Sequence, residues 1–135
     1  MDWVSVHNET NEEAPEPKWQ ALFESLDEEL GRAPKPVSII FVSKDKSAEL
    51  NSKYRSTEGA TNVLSFEELR EIFISPSVVK EEAVNSAVDY SDWMTRIIVH
   101  GILHLEGFKH DNKDDELLME ETEKRVLNKL GISLL

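Results

Sequence analysis

The sequence predicts an α/β (α+β) protein in which about five helices pack on a single small mixed β-sheet. Along the 135 residues, strand-like and helix-like hydrophobic patterns follow one another in the order β-α-β-α-β-β-α-α-α. The segment 97–105 (IIVHGILHL) is apolar on almost every side, so it should be a helix in the middle of the molecule. A chain of this length holds about one core, and we expect residues 1–135 to form a single domain.

The first part of the chain predicts a strand, a helix and a second strand. Residues 3–7 alternate apolar and polar side chains, which is typical of an edge strand. Residues 17–30 place apolar side chains at helical spacing and are followed by Gly31, a residue type that commonly ends helices. Residues 37–42 are rich in branched side chains and predict a central strand that is buried on both faces.

The middle of the chain predicts a short helix and then two strands. The helix should cover residues 45–54 and begin at Ser43 or Asp45. Residues 62–66 and 71–75 are short apolar segments separated by four residues, which indicates a hairpin. The residues expected on the buried side of the helix are Ala48, Leu50 and Tyr54.

Three helices complete the chain. The first should cover about 76–88 with Pro76 at its first position, the second should cover 92–106, and the last should end before Gly131. The side chains available to cap these helices are Ser75, Ser91, and either Asp114 or Asp115.

Composition narrows the classes of function. There is no cysteine, so a bound metal must rely on imidazole, carboxylate or water ligands. No apolar segment approaches the roughly 18 residues of a membrane span, and the first residues lack a secretory pattern, so we expect a cytoplasmic protein without a membrane partner. The net charge of −12 argues against a general nucleic-acid binder, and we expect no binding to DNA.

Residues 32–55 depart from this acidic character. They contain six basic and two acidic residues, a local balance of +4. An anionic partner should dock here, although solvated surface charges explain the same pattern equally well. The six basic residues are Arg32, Lys35, Lys44, Lys46, Lys53 and Arg55.

Three histidines in the run HGILHLEGFKH predict a metal site at the end of the buried central helix. His100 and His104 are four residues apart, so both rings lie on one helical face and can reach one ion. Gly107 can end the helix and reverse the chain, which would bring His110 toward the same point. Three neutral imidazoles suit zinc and leave a position for water, which indicates a hydrolytic site.

Other interpretations of these histidines are weaker. The spacing matches the metzincin peptidase signature HExxHxxGxxH, but Gly101 stands where those enzymes have their catalytic glutamate. A purely structural zinc site usually has four protein ligands, and hydrogen-bonded core histidines would not need this spacing. The fourth histidine, His7, is interpreted as a surface residue.

Two sequence blocks and a short strand segment resemble the YbeY family of bacterial endoribonucleases. HGILHLEGFKH is similar to the family signature H-G-x-L-H-L-x-G-Y-D-H. LNSKYRSTEGATNVLSF at 50–66 is similar to the family segment that leads through an arginine to T-D-V-L-S-F, and EIFISP at 71–76 resembles the strand G-D-I-V-I-S.

The resemblance implies a zinc-dependent, single-strand-specific endoribonuclease that acts in rRNA processing, notably 16S 3′ end maturation, and in ribosome quality control. It implies one Zn²⁺ ion per chain on His100, His104 and His110, with RNA and the ribosome or ribosomal proteins as partners. Arg55 corresponds to the arginine that the family uses in activity, and a guanidinium can also hold a phosphate by two hydrogen bonds. We assign Arg55 and His100 to catalysis, and Arg55 and Lys53 to substrate binding.

The sequence departs from the family pattern at four positions, where Asp, Asp, Tyr and Asp are replaced by Asn62, Glu71, Phe108 and Lys109. A cation at Lys109 would weaken metal affinity if it pointed toward the ion. Glu106 or Asp111 are the candidates to orient a ligand instead. The alternative function is a non-catalytic, metal-stabilised ribosome-assembly factor that binds ribosomal proteins, an interpretation that the acidic charge favours.

Overall fold

The computed structural model describes residues 2–134, and the order of elements predicted from the sequence is confirmed. Within these residues, two strands alternate with two helices, two consecutive strands follow, and the last three elements are helices. The strands are β1 (Val4–Asn8), β2 (Val37–Phe41), β3 (Val63–Phe66) and β4 (Glu71–Ile74). The helices are α1 (Trp19–Leu30), α2 (Lys44–Arg55), α3 (Pro76–Asn85), α4 (Tyr90–Leu105) and α5 (Lys113–Lys129).

The strands form one mixed sheet in the order β1-β2-β4-β3. β1, β2 and β4 are parallel, whereas β3 pairs antiparallel with β4 as the predicted hairpin. β2 is central as predicted, although its residues alternate between buried and half-buried, so only one face is fully enclosed. β1 is an edge strand as predicted, and β3 is the other edge.

Helix α4 lies at the centre of the molecule, as its apolar sequence predicts. Its side chains are buried against the sheet, α3 and α5, and they join the core residues of β2 and β4. The fully buried side chains of α4 are Met94, Ile98, Val99, Ile102 and Leu103. Among residues 2–134, no helix combines the length and the apolar character that crossing a membrane requires.

Helix α2 buries Leu50 as predicted, but the rest of its buried side differs from the prediction. Ser43 caps the helix as expected, since its hydroxyl accepts a hydrogen bond from the Lys46 amide. The prediction that Tyr54 is buried is wrong, because this residue is 55% exposed. The buried residues are Ser47, Leu50 and Asn51.

The reason is that polar side chains of α2 hold the following loop. The Ser47 hydroxyl bonds both the carbonyl and the amide of Thr61, and the Asn51 amide donates to the carbonyl of Gly59. A periodicity of apolar residues does not detect a face that is buried through hydrogen bonds. This loop connects Arg55 to β3.

The N-caps predicted for the last two helices are wrong. Asp89 caps α4 by accepting a hydrogen bond from the amide of Asp92, so Ser91 lies within the helix. Asn112 caps α5 by accepting from Asp115. A capping oxygen bonds the amide three residues later, and in both places an earlier polar residue supplies that oxygen.

Helix α3 is shorter than predicted. Pro76 occupies its first turn as expected, but Ser75 makes no capping hydrogen bond with its side chain. The helix ends at Asn85 rather than near 88, because Ala87 takes a left-handed conformation with φ of 54°.

Candidate metal centre

The predicted histidines converge at the C-terminal end of α4. His100 and His104 lie one turn apart on the half-buried side of this helix, and His110 lies in the loop that follows it. Gly107 has φ of 104°, and the amide of Phe108 folds back to the carbonyl of Leu103. One ring nitrogen from each histidine lies within 4.8 Å of the others. His7 is exposed, as predicted.

Hydrogen bonds at Nδ1 orient the imidazoles of His100 and His104. Nδ1 of His100 lies 2.6 Å from a carboxylate oxygen of Glu123, and Nδ1 of His104 lies 3.1 Å from the carbonyl of Phe108. Because a carboxylate and a carbonyl accept hydrogen bonds, both Nδ1 atoms carry protons. In the neutral rings, both Nε2 atoms therefore present a lone pair.

The chemistry of these nitrogens fits a metal ion. Nε2 of His100 and Nε2 of His104 lie only 3.1 Å apart, so two lone pairs face each other unless a cation lies between them. A proton could satisfy one such contact, but His110 brings a third nitrogen to the same place. In a tetrahedral site with Zn–N distances of about 2.0–2.1 Å, ligand nitrogens are roughly 3.3 Å apart. The three histidines therefore lie close enough together to hold one metal ion.

The surroundings of His104 favour its neutral form. Burial lowers the pKa of His104, and charge on His100 or His110 lowers it further, which outweighs the hydrogen bond to Phe108 and the charge of Glu123. A neutral imidazole is the form that binds a metal. His104 is thus available as a ligand without first losing a proton at neutral pH.

The carboxylate that orients the site is Glu123, which the sequence analysis missed. It comes from α5, its side chain is only 5% exposed, and its second oxygen lies 3.4 Å from Nε of Arg96. A signal was present, because Glu123 falls in the buried helical series Met119, Thr122, Val126 and Leu127. A charged residue on the apolar side of a helix indicates a buried partner.

The candidates proposed for this role do not fill it. Glu106 is directed away from the histidines and bonds Arg32 and Arg70 instead. Asp111 is exposed and makes no hydrogen bond to a ligand histidine within residues 2–134. Proximity in sequence to HGILHLEGFKH did not identify the orienting carboxylate, because that carboxylate comes from a separate helix.

A cavity of about 460 Å³ opens in front of the histidines. Its opposite wall is the edge strand β3, and Arg55 at the end of α2 lies at its side. The structure thus brings Arg55 and the three histidines to one cavity. Within residues 2–134, the guanidinium of Arg55 forms no ion pair with a carboxylate.

The other basic residues of the window 32–55 are placed differently. Lys53 does not line the cavity, and its ammonium lies 5.2 Å from the centre of the Tyr54 ring. Three of the remaining cations form ion pairs with glutamates and are not available to a ligand without breaking them. These pairs are Arg32 with Glu106, Lys44 with Glu81, and Lys46 with Glu49.

Gly101, which follows the first histidine, lies in close contact with the sheet. A β-carbon at this position would lie 3.0 Å from Cγ2 of Ile72 and 3.3 Å from the hydroxyl of Ser65. That hydroxyl also donates to the carbonyl of Gly101 at 3.3 Å. A glutamate here would begin in tight contact with the sheet, which agrees with the sequence in disfavouring the peptidase arrangement.

Comparison with known proteins agrees with this geometry. The family model described as endoribonuclease YbeY matches residues 5–131. The chain belongs to the YbeY endoribonuclease family. This confirms the resemblance that two short sequence blocks indicated.

Relatives and a solved structure support the YbeY assignment. The endoribonuclease YbeY of Maricaulis maris is 35% identical over 109 residues, which cover 76% of this chain and 68% of that protein. The endoribonuclease YbeY of Bartonella bacilliformis is 32% identical over 126 residues, covering 84% and 80%. The solution structure of TM1509 from Thermotoga maritima is similar with a TM-score of 0.65 and 25% identity, covering 94% of this chain and 88% of that one.

The departures from the YbeY pattern have local explanations at three positions. Asn62 donates to both carboxylate oxygens of Glu82, at 3.1 and 3.2 Å, so an aspartate there would face a like charge. Phe108 contributes its backbone carbonyl to His104, which any residue could do. Lys109 is exposed on the surface beside His110. The structure offers no explanation for Glu71.

Proposed function

We propose that this YbeY protein is a zinc-dependent endoribonuclease specific for single-stranded RNA, with one Zn²⁺ ion per chain and residues 1–135 acting as one catalytic domain. The observation that supports this most strongly is the facing pair of Nε2 atoms on His100 and His104, in one cavity with His110 and with Arg55, which forms no ion pair within residues 2–134. Such a cavity contains a place for a cation and a group for an anion. Membership in the endoribonuclease YbeY family points to RNA as that anion.

The residues of the cavity have different roles in the proposed hydrolysis of a phosphodiester. A zinc ion on three histidines would polarise a phosphate oxygen and lower the pKa of a water molecule to about 7. Arg55 holds the scissile phosphate and stabilises the charge that develops on it. His100 takes part in catalysis as a ligand, and Glu123 keeps its ring oriented. Lys53 lies near the cavity in the same turn of α2 as Arg55, and it contacts the sugar-phosphate backbone of the substrate.

The biological substrate that we propose is precursor rRNA, with maturation of the 16S 3′ end and removal of defective ribosomes as the processes served. RNA reaches the enzyme on the ribosome or with ribosomal proteins, in the cytoplasm. Single strands fit because the cavity is bordered by an edge strand and has room for an unpaired segment. Incubating the purified protein with a 16S precursor fragment, and with the same sequence as DNA, tests both the substrate and the exclusion of DNA.

The test of zinc dependence starts with metal analysis of protein purified without added metal, which should show one zinc per chain. His104→Ala should lose the ion and cut cleavage of single-stranded RNA by about 100-fold or more. His7→Ala is the matched control, because this histidine is exposed and remote from the signature. Cleavage that persists in His104→Ala or after chelation would refute the zinc nuclease.

Product ends distinguish two routes of attack. A 5′-phosphate and a 3′-hydroxyl would indicate that water attacks the phosphorus atom. A cyclic phosphate or a 3′-phosphate would indicate attack by the 2′-hydroxyl of RNA, and would contradict the water route.

The second candidate function is a non-catalytic ribosome-assembly factor stabilised by its metal. The net charge of −12 favours it, because basic ribosomal proteins would bind an acidic surface. This candidate predicts that wild type and Arg55→Ala are equally inactive on RNA while both bind ribosomal proteins. RNA cleavage that depends on Arg55 would exclude it.

A further inference from the structure

Next to the metal cavity lies a second depression, here called the aromatic groove, with a volume of about 530 Å³. Its apolar lining comes from the end of α2, strand β3, strand β4 and the turn between those strands. The residues of this lining are Leu50, Tyr54, Phe66, Leu69 and Phe73. Two of them, Tyr54 and Leu69, are 55% and 73% exposed, so the lining is accessible to a ligand.

The aromatic groove is continuous with the metal cavity. Tyr54, Ser65, Phe66 and Glu67 line both depressions. Tyr54 is also the neighbour of Arg55 in the last turn of α2. A ligand that places an anionic group against Arg55 therefore extends into the groove when it continues past Tyr54.

The ring of Tyr54 is held in place although most of the residue is exposed. It packs edge to face with Phe66 at a centroid distance of 5.1 Å, and Phe66 packs in the same way with Phe73 at 5.6 Å. Such contacts fix a ring before a ligand arrives, which reduces the entropy lost on binding. The groove thus presents a preformed aromatic surface.

The charges around the groove select against phosphate. Its polar lining is acidic, with Glu67, Glu68 and Glu71, and none of its lining residues is basic. Carboxylates accept hydrogen bonds from the N–H groups at the edge of a nucleobase, and aromatic rings stack on its faces. A phosphate belongs on the other side of Tyr54, with Arg55 and the cation of Lys53, which lies over the same ring.

We propose that the aromatic groove receives one unpaired nucleobase of the RNA, adjacent to the phosphate held by Arg55, and that Tyr54 is its stacking surface. This inference rests on the endoribonuclease function proposed above. It explains why single strands are the substrate, since a base within a duplex is stacked and paired and cannot enter the groove.

The experiment uses the zinc-loaded protein and a short single-stranded RNA with one cleavage site, in which an abasic position is moved along the strand. For the wild type, kcat/KM should fall at least about fivefold at one position next to the cleaved bond. Tyr54→Ala should lose a similar factor on intact RNA and nothing further at that position. Tyr54→Phe should keep the dependence on that base, because it keeps the ring.

Val84→Ala is the matched control, since Val84 is 70% exposed on α3 and lines neither depression. Equal zinc content in all variants shows that the metal centre is intact. The inference is overturned if Tyr54→Ala still depends on the same base, or if no abasic position affects the wild type. Either of these outcomes, together with normal RNA cleavage, would mean that the groove binds another ligand, such as a protein segment.

Failure of the proposed function gives a different result. If the wild type cleaves no RNA, binding of the same strands is measured by fluorescence anisotropy. Weaker binding of Tyr54→Ala, by at least about fivefold, supports a base site in a protein that does not cleave. Equal binding by wild type and Tyr54→Ala overturns the inference.

Discussion

At the scale of single residues, the geometry of the candidate metal centre depends on the ring nitrogens that are hydrogen-bonded to the protein. Glu123 and the carbonyl of Phe108 hold the protons of His100 and His104 on Nδ1. The lone pairs are thereby directed to one point before any metal is present. Glu123 also contacts Arg96, whose guanidinium lies 4.7 Å from the centre of the Trp93 ring. Several side chains thus support one ligand.

Glu123→Gln should weaken zinc binding by about 10- to 100-fold, because an amide is a poorer acceptor and no longer raises the basicity of His100. Competition with a chromophoric chelator measures this affinity directly. The control is Glu120→Gln, which changes an exposed glutamate on the same helix. Zinc affinity unchanged in Glu123→Gln would show that the carboxylate only packs against His100.

Arg55→Ala should lower kcat for RNA cleavage by about 100-fold or more while one zinc per chain remains bound, because the proposed role of Arg55 is to hold the phosphate and the ligand candidates are the three histidines. Single-turnover kinetics and metal analysis of the same sample check both parts. Lys46→Ala, on an exposed cation of the same helix that pairs with Glu49, serves as the control. Loss of zinc in Arg55→Ala would contradict the assigned role.

At the scale of elements, the position of the centre is set by how closely α4 packs on the sheet. The absence of a β-carbon at Gly101 lets the helix lie against Ile72 and Ser65. This contact places His100 and His104 opposite the edge strand β3, across the cavity that contains Arg55. The width of that cavity therefore depends on a glycine.

Gly101→Ala should lower the free energy of unfolding by about 1 kcal/mol. Overpacking against Ile72 costs about 1–3 kcal/mol, which exceeds the roughly 1 kcal/mol gained in helix propensity. Thermal unfolding measures the change. In a double-mutant cycle, Ile72→Ala should relieve part of the loss, with a coupling of about 0.5 kcal/mol or more. Additive effects of the two substitutions would mean that this contact is not tight.

At the scale of the whole molecule, a buried carboxylate fastens the end of α4 to two distant segments. Glu106 is 1% exposed in its side chain and bonds Arg32, which follows α1, and Arg70, in the turn between β3 and β4. Arg70 also donates to the carbonyls of Pro36 and Leu105, at 2.8 and 3.0 Å. These contacts hold the point at which the chain turns toward His110.

This arrangement makes stability depend on pH. Burial of Glu106 on its own would raise its pKa, but the hydrogen bonds from Arg32 and Arg70 lower it below the ordinary value of 4.5. The stabilisation is therefore complete above about pH 4.5 and is lost as the pH falls through the lower pKa of the folded state. Denaturant unfolding between pH 3 and 7 should show this loss.

Glu106→Gln should reduce the free energy of unfolding at pH 7 by about 1.5–3 kcal/mol, since a hydrogen bond to charged groups is replaced by a weaker one. Its stability should also vary less with pH below 4.5 than that of the wild type. Glu49→Gln removes an exposed pair and should match the wild type in both respects. An equal acid dependence in Glu106→Gln and wild type would assign the effect to other carboxylates.

The sequence alone determined the order of the elements, the apolar central helix and the three histidines. Each of these is encoded by local spacing: a period of two or 3.6 residues, a separation of four between His100 and His104, and a glycine after the last turn. The block LNSKYRSTEGATNVLSF around Arg55 could be recognised for the same reason, because its residues are contiguous in sequence. The local character of these patterns also explains the errors at Ser91 and Tyr54, where a capping choice and a polar buried face depend on contacts that a periodicity does not contain.

Only the tertiary structure decided which carboxylate orients the candidate metal centre and which cations form ion pairs. Glu123 lies on α5, 23 positions after His100 in the chain, and contacts its ring. Glu106 is nearer in sequence but is bound by two arginines. The strand order, with β3 at an edge, likewise follows from pairing between segments and opens both the cavity and the aromatic groove. Contacts between distant residues depend on packing of the whole chain, so no local pattern of residues specifies them.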